Sequence, residues 1–520
     1  MLKTLTALVP NDKDLPLRAY AMQWREEFRT SAIYDRIPHS FYEERGVNGE
    51  YIPLNKRRPC VMFGLPQIIV NDSTAMLFSE AHFPAVEARS GVKRLIDQDI
   101  NDALTELIKE TVLREIMLDA AVHGSSGSVC VWLRVLKSRV FFKVLPTAFL
   151  TPAWDDEAPD TLSSVSEQYK VKGSDLKKQG YTIADAYIGE MFWFQRVWTT
   201  TQEIWMLPWI VTSSTKSNAP NLPVIDTSKT KRHDLGFVPM VWIKNLPGGD
   251  DIDGAATVVN AALSNSIELD YQLSQGGRGL RYSSDPTMHI QEEADYSSAV
   301  GGGSIDPVTG GKVIVKGAAN AIRTGANIKM LEISGAGSAA VLEYARFIRE
   351  ISLEQCGGNR ASAEKLSGAQ SGRAMEMMNQ GLIFLADKLR TSYGENGLLK
   401  LLQMVLNANA KLALVIGDKT YKINQLVNDD IQLSLKWPPW YAPTATDHQA
   451  IAVALKTYRD AGVISQETGI AFVQHDFDIE DPAQELARIK AEQDALDATE
   501  VAKAQAMAPK ESDTASTSAG

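Results

Sequence analysis

The chain has 520 residues, of which 44% are hydrophobic and 22% charged. This is the composition of a globular protein, and it excludes disordered, collagenous and disulfide-scaffold classes. At roughly 150 residues per domain, the length predicts about three to four domains or lobes. Lysine and arginine number 53 against 64 acidic residues, which gives a net charge of −11. This acidic balance disfavours a freestanding nucleic-acid clamp, whose binding face is normally basic.

The cysteines and the apolar segments bear on the compartment. Cys60, Cys130 and Cys356 lie far apart without CxxC spacing, so neither a disulfide framework nor a zinc ribbon is predicted. A reducing cytoplasm is therefore the expected setting. The N-terminal apolar run is too short for a secretion signal. Polar residues interrupt the stretch 398–416, so no membrane span and no membrane partner are predicted.

The first half of the chain predicts helices followed by strands. Helical spacing indicates helices over 17–30 and 65–80, and one continuous amphipathic helix from Val92 to Val122. Two β-rich runs then predict a hairpin with strands 129–136 and 139–145. The aromatic and β-branched residues between Asp155 and Pro247 indicate a strand-rich lobe.

The middle of the chain predicts a small β module between two helices. Asp250, Asp251 and Asp253 follow a Pro-Gly-Gly breaker, where carboxylates cap a helix start and oppose its dipole. A helix of about 20 residues should follow and end at the glycines of 275–279. The glycine-rich module over 278–337 precedes a second helix, which begins near Ser338 and ends at residues 356–358.

The last third of the chain is predominantly helical. Small polar residues over 358–372 predict an exposed loop, and a long helix should run from Arg373 to Ile416, kinked at its glycines. Residues 421–437 are expected to form strand. Three short helices should then fill the region up to about Ala498, and residues 501–520 should be a disordered tail.

Motifs for catalysis are weak in this sequence. The only Gly-Lys that follows another glycine, at Lys312, lacks the first glycine and the hydroxyl residue of a P-loop, and no HExxH occurs. Asp250, Asp251 and Asp253 are the strongest acidic cluster. A metal-dependent hydrolase using them, or the acidic run 155–157, is the enzymatic alternative, but a helix cap is the favoured interpretation. No catalytic residue, metal ligand or cofactor is predicted.

Two groups of cations are candidates for contacts with an acidic partner or nucleic acid. The first lies in the β module, where no carboxylate occurs between Pro307 and Leu331: Lys312, Lys316, Arg323 and Lys329. The second lies in and just after the polar loop: Arg360, Lys365 and Arg373. A solvated face and an ordinary surface loop are the alternatives for the two groups.

The order of these modules resembles the portal proteins of tailed bacteriophages, along nearly the whole chain. The segments that carry the resemblance are LPQIIVNDSTAMLFSE, HGSSGSVCVWL, GGDDIDGAATVVNAALSNSIELDYQ, LSGAQSGRAMEMM, AGVISQETGIAFV and DPAQELARIKAEQ. The resemblance implies an α+β multi-lobe subunit that assembles into a ring. It assigns a wing, two stem helices, a clip, a tunnel loop and a crown to the chain.

The resemblance implies the following boundaries: wing 1–250, stem helix 251–277, clip 278–337, stem helix 338–356, tunnel loop 357–372, long kinked helix and wing 373–440, crown 441–500, tail 501–520. Arg360, Lys365 and Arg373 would then face DNA, and the clip cations would dock the motor.

The resemblance also implies a function without catalysis. Such a ring, a homododecamer in the virion, sits at one capsid vertex and is assembled in the host cytoplasm. It passes double-stranded DNA without sequence specificity, and its implied partners are the terminase motor, the major capsid and scaffolding proteins and the head-tail adaptor. A virion structural protein other than a portal is the remaining non-enzymatic alternative.

Overall fold

The structure is a computed structural model. It describes residues 17–30, 59–89, 94–136, 139–211, 223–284, 287–291, 304–305, 312–313, 327–331, 335–357, 372–412, 414–416, 419–420, 431–441, 445–473 and 482–507. The chain divides into two compact units. The larger unit comprises Met1–Ala361 and Asn379–Trp440, and the smaller unit comprises Ser362–Met378 and Tyr441–Gly520. Both helices and sheets are present, which confirms the α+β class.

The helices of the larger unit alternate with its strands along the chain. They are α1 Leu17–Arg29, α2 Leu65–Phe78, α3 Arg94–Glu110, α4 Leu113–Gly124, α5 Gly173–Lys178, α6 Asn260–Ser284 and α7 Gly335–Gln355. After α8 (Gly372–Met378), which belongs to the smaller unit, come α9 Gln380–Leu389, a π-helix Arg390–Leu399 and α10 Lys400–Lys411.

The strands form small antiparallel sheets and one larger one. They are β1 Ala85–Arg89, β2 Ser128–Leu136, β3 Arg139–Pro146, β4 Leu150–Trp154, β5 Leu162–Lys172, β6 Met191–Thr199, β7 Gln202–Trp205, β8 Trp209–Ile210, β9 Lys231–Arg232, β10 Met240–Lys244, β11 Thr287–Gln291, β12 Ser304–Ile305, β13 Lys312–Val313, β14 Asn327–Leu331, β15 Val415–Ile416, β16 Lys419–Thr420 and β17 Gln432–Lys436. The hairpin β2–β3 is confirmed, with Leu136 opposite Arg139.

Two sheets organise the larger unit. One has the order β10-β2-β3, and the other has the order β4-β5-β6-β7-β9 with β8 paired to β6. The main core lies between the first sheet and the helices α3, α4, α9 and α10, and it includes the fully buried Leu113, Val131, Ile243 and Leu401. The strand-rich lobe predicted over 155–247 is confirmed by β5 to β10.

The prediction of one continuous helix from Val92 to Val122 is wrong. The helix is broken between α3 and α4 at Val112, whose φ of 52° lies in the left-handed region. A β-branched residue rarely adopts this conformation. The residue type at position 112 therefore gives no sign in the sequence that the helix breaks there. The apolar periodicity continues across it because both helices pack on the same core.

The long helix predicted from Arg373 to Ile416 is also interrupted. It breaks at Asn379, widens into the π-helix and ends at Lys411. A Cβ on Gly394 would collide with the ring of Trp437, and one on Gly397 would lie 2.8 Å from Ile243 Cδ1. The glycines predicted as weak points therefore mark close packing, rather than a simple kink.

The helix expected after the aspartate cluster is displaced along the chain. α6 begins at Asn260, beyond Asp250, Asp251 and Asp253, and it continues through Gly276 and Gly277 to Ser284. The predicted capping role of the carboxylates and the predicted end at 275–279 are both wrong. Val341 packs directly on Gly276 and Pro59 on Gly277, so these glycines allow close contacts inside the helix.

The smaller unit is helical where the structure describes it. After α8 come α11 Ala445–Asp460, α12 Gln466–Val473 and α13 Pro482–Met507. The three short helices are confirmed, although α13 is longer than expected. Residues 501–507, predicted to start a disordered tail, continue the helix.

Candidate functional site

The helices α6 and α7 form an antiparallel pair in the region predicted as stem. Strand β11 follows α6 in the chain and β14 precedes α7, and these two strands pair with Thr287 opposite Leu331. Gly276 faces Val341, whose Cγ1 would lie 2.8 Å from a Cβ at this glycine. At the other end, Asn265 Nδ2 donates a hydrogen bond of 3.4 Å to Gln355 Oε1. One register therefore runs through both helices and both strands.

The segment preceding α2 binds to this helix pair. The Val61 backbone N–H donates to Ser274 Oγ at 2.9 Å, and the Phe63 N–H donates to Asp270 Oδ1 at 2.7 Å. Arg349 of α7 lies over the Phe63 ring, 5.9 Å from its centroid. The buried polar side chains of α6 thus accept backbone hydrogen bonds, which fixes the pair to the rest of the larger unit.

α7 leaves large apolar side chains exposed on two flanks. Ala345 and Ile348 are buried, whereas Leu342, Tyr344 and Phe347 are 51%, 45% and 58% exposed. At 100° per residue, Leu342 lies about 140° from Phe347 around the helix. The exposed apolar surface therefore faces two directions, one on each side of the buried stripe.

The aspartate cluster is held by structural contacts. Arg18 pairs with Asp253, with Nε to Oδ2 at 2.5 Å and Nη2 to Oδ1 at 2.7 Å. Ser128 Oγ also donates to Asp253 Oδ1. Arg18 Nη1 donates to the carbonyls of Thr147 and Leu150. Asp253 thus connects α1 to the start of the hairpin. Because Asp253 and Arg18 are 235 residues apart, this role could not be predicted from the sequence.

Asp250 and Asp251 differ from Asp253. The backbone N–H groups of Ile252 and Asp253 donate to Asp250 Oδ1, forming a tight turn that lowers the pKa of Asp250, chiefly through the Asp253 N–H. Asp251 is exposed. Asp155 likewise accepts backbone hydrogen bonds from Glu157 and Ala158. Within the described ranges, no group of three or more His, Cys, Asp or Glu residues is arranged to hold a metal ion.

An open groove of about 1000 Å³ borders the aspartate loop. Its lining includes Asp250 and Asp251 of this loop together with Lys388 and Lys400 of the helical segment. Trp154 and Met404 contribute apolar surface. The groove therefore combines charges of both signs with apolar side chains.

The cations predicted to contact DNA or a motor lie largely outside the described residues. This applies to Lys316, Arg323, Arg360 and Lys365. The backbone places Lys312 on β13, Lys329 on β14 and Arg373 in the first turn of α8. The assignment of both groups remains a prediction from the sequence.

Among the described helices, none combines the length and apolarity required to cross a bilayer.

Comparison with models of known protein families identifies a family for this chain. The family model described as phage portal protein, SPP1 Gp6-like, matches residues 51–498. A search of curated proteins finds no match. The matched range includes the helices α6 and α7, the hairpin β2–β3 and most of α13. Because the match covers most of the 520 residues, the chain belongs to the SPP1 Gp6-like family of phage portal proteins.

Proposed function

We propose that the chain assembles into a ring at one vertex of a phage capsid. In this proposal the ring, a dodecamer in the virion, is the channel for packaging and ejecting double-stranded DNA. It also docks the terminase motor and later the head-tail adaptor. Support comes first from the family, which is structural rather than enzymatic and belongs to the virion.

The exposed apolar side chains on the two flanks of α7 are the observation that supports assembly into a ring. A two-fold dimer uses one patch on both copies, whereas a closed ring needs two different patches, one for each neighbour. Phe347 and Tyr344 lie on one flank of the buried stripe, and Leu342 lies on the other. The burial of apolar side chains drives association, so neighbouring copies that cover both flanks would stabilise the assembly.

Electron microscopy of end-on views, together with the mass in solution, tests this proposal. We expect rings with an axial hole and a mass that is a large multiple of 57.0 kDa. The variants Tyr344→Glu with Phe347→Glu, and separately Leu342→Glu, should each prevent ring closure. Tyr187→Glu, which changes an exposed tyrosine on another element, is the matched control and should form rings.

Mixing the two α7 variants gives a sharper result. Each retains the flank that the other lacks, so one productive contact can form between them. We expect pairs of subunits that do not grow into rings. A stable monomer in all salts, for the unmodified chain, would contradict the ring.

In the proposed subunit, residues 1–250 and 373–440 form the wing, and residues 278–337 form the clip. The absence of acids between Pro307 and Leu331 supports a docking role for the clip. Changing Lys312, Lys316, Arg323 and Lys329 to Glu should spare the ring and weaken motor docking or packaging. Lys143→Glu on the β2–β3 hairpin is the control, and normal packaging by the quadruple variant would remove this role.

The tunnel loop, residues 357–372, is proposed to contact the passing DNA. Duplex DNA carries one charge per about 1.7 Å, so a few cations give frequent and sequence-independent contacts. Arg360→Ala with Lys365→Ala should spare the ring and impair translocation or genome retention. Arg373 is the third proposed cation. Labels at cysteines introduced at 360 and 365 should lie near the ring axis, and labels on the outer rim would refute this role.

The major capsid and scaffolding proteins complete the proposed partners. The ring would nucleate head assembly in the host cytoplasm and remain in the virion. DNA would pass through it without sequence preference, which suits a chain with a net charge of −11.

A further inference from the structure

The C-terminal helices α11, α12 and α13 bury very little of their own surface. Among the described side chains of 445–507, only Ile470 is buried. α11 has no buried residue, although Val453 and Tyr458 are large apolar side chains. Helices are stabilised mainly by packing of an apolar face, so these three helices gain little stability from packing within one copy.

α11 carries a basic face with an apolar residue. Val453, Lys456 and Arg459 recur every third residue and therefore lie along one side of the helix. Val453 is 61% exposed. Lys456 and Arg459 are both exposed, so their charges are accessible to a partner of opposite charge.

α13 carries the complementary face. Glu492, Leu496 and Glu500 recur every fourth residue, and Leu496 is 66% exposed. Asp494 and Asp497 add negative charge, with no cation between Lys490 and Lys503. Within the part of the chain that the structure describes, neither Lys456 nor Arg459 forms an ion pair, and neither do Glu492 and Glu500.

One copy does not bring the two faces together. α11 packs against α12, and α12 packs against α13. We propose that the basic face of α11 in one copy binds the acidic face of α13 in the next copy, and that these helices become stably folded only when copies associate. Because this chain carries both the basic face and the acidic face, a second copy of the chain is the partner whose charges match. The inference rests on the proposed ring.

Hydrogen exchange of the full-length protein tests this inference. Residues 445–507 should exchange much more slowly in assembled rings than in the monomeric Tyr344→Glu, Phe347→Glu variant. Equal exchange in rings and monomers would overturn the inference and leave the ring intact. A chain that never assembles but protects these residues would overturn both proposals.

Charge reversal identifies the two faces. Lys456→Glu with Arg459→Glu should remove the protection of 445–507, and so should Glu492→Lys with Glu500→Lys. Rings made from both double variants in one chain should recover it, since the charges are exchanged. Lys490→Glu, on α13 before the acidic stretch, should retain protection. Failure of the exchanged chain to recover protection, in rings seen by microscopy, would refute the pairing.

Discussion

The Tyr393 hydroxyl donates a hydrogen bond of 2.9 Å to Asn245 Oδ1, in the interior of the larger unit. The Asn245 side-chain amide donates in turn to the carbonyl of Ala255 and to Thr257 Oγ1. Burial raises the pKa of Tyr393, so the phenol remains a donor. This pair therefore joins the π-helix to the loop that leads into α6.

Tyr393→Phe removes the donor and leaves the buried Asn245 oxygen without it. We expect the free energy of unfolding of the larger unit to fall by about 1–3 kcal/mol. Denaturant unfolding measures the change. Tyr187→Phe, at an exposed tyrosine, should change it by less than about 0.5 kcal/mol. Equal effects of the two substitutions would show that the Tyr393 bond contributes little.

Gly394→Ala tests the packing on the π-helix. The new Cβ would meet the large ring of Trp437, which lies against Phe78 and Arg390. We expect a loss of about 1–3 kcal/mol from overpacking, despite the better helix propensity of alanine. Gly337→Ala, in α7 with open space around it, should instead stabilise by up to about 1 kcal/mol. Thermal unfolding of the two variants compares them, and stabilisation by both would contradict the close packing.

Asp253→Asn separates the structural role of the aspartates from the enzymatic alternative. Loss of the charged pair with Arg18 should lower the free energy of unfolding by about 1.5–3 kcal/mol. Asp251→Asn, at an exposed carboxylate in the same loop, is the matched control and should be neutral. A metal-dependent hydrolytic activity that Asp251→Asn abolishes would favour the hydrolase instead.

His233 gives the larger unit a pH dependence. Burial lowers the pKa of His233 below its usual 6.5, against the opposing charges of Asp234 and Glu203. Its Nδ1 accepts the Leu235 N–H. The unfolded chain therefore binds the proton first, and stability should fall as the pH drops below 6.5 toward the folded pKa. His233→Asn should flatten this slope in denaturant unfolding between pH 7.5 and 5, whereas parallel curves would contradict the assignment.

Local patterns were sufficient for the hairpin β2–β3 and for the three helices at the C-terminal end, α11, α12 and α13. Alternating and helical spacings of apolar residues show which face of a strand or helix is buried. This can be predicted without knowing which element packs against that face. Local patterns were insufficient where a contact between residues far apart in the sequence determines the structure. Asp253 binds Arg18, 235 residues away, and Val112 adopts a left-handed conformation that its residue type disfavours.

The glycines show the same limit. The sequence around Gly276 predicts the end of a helix, but in the structure α6 continues there and the Val341 side chain packs against this glycine. The sequence predicted two helices with a small module between them. The exposed flanks of α7 could not be assigned, since the choice between buried and exposed apolar residues on this helix depends on α6 and α2.

The shared register of α6, β11, β14 and α7 constrains how this part of the chain can change in length. Gly276 meets Val341, and Thr287 lies opposite Leu331. A single-residue deletion in α6 would rotate every later residue by about 100° and move the glycine away from the valine. Insertions and deletions in one helix are therefore tolerated only with a matching change in the other, so the two helices should lengthen or shorten together among related chains.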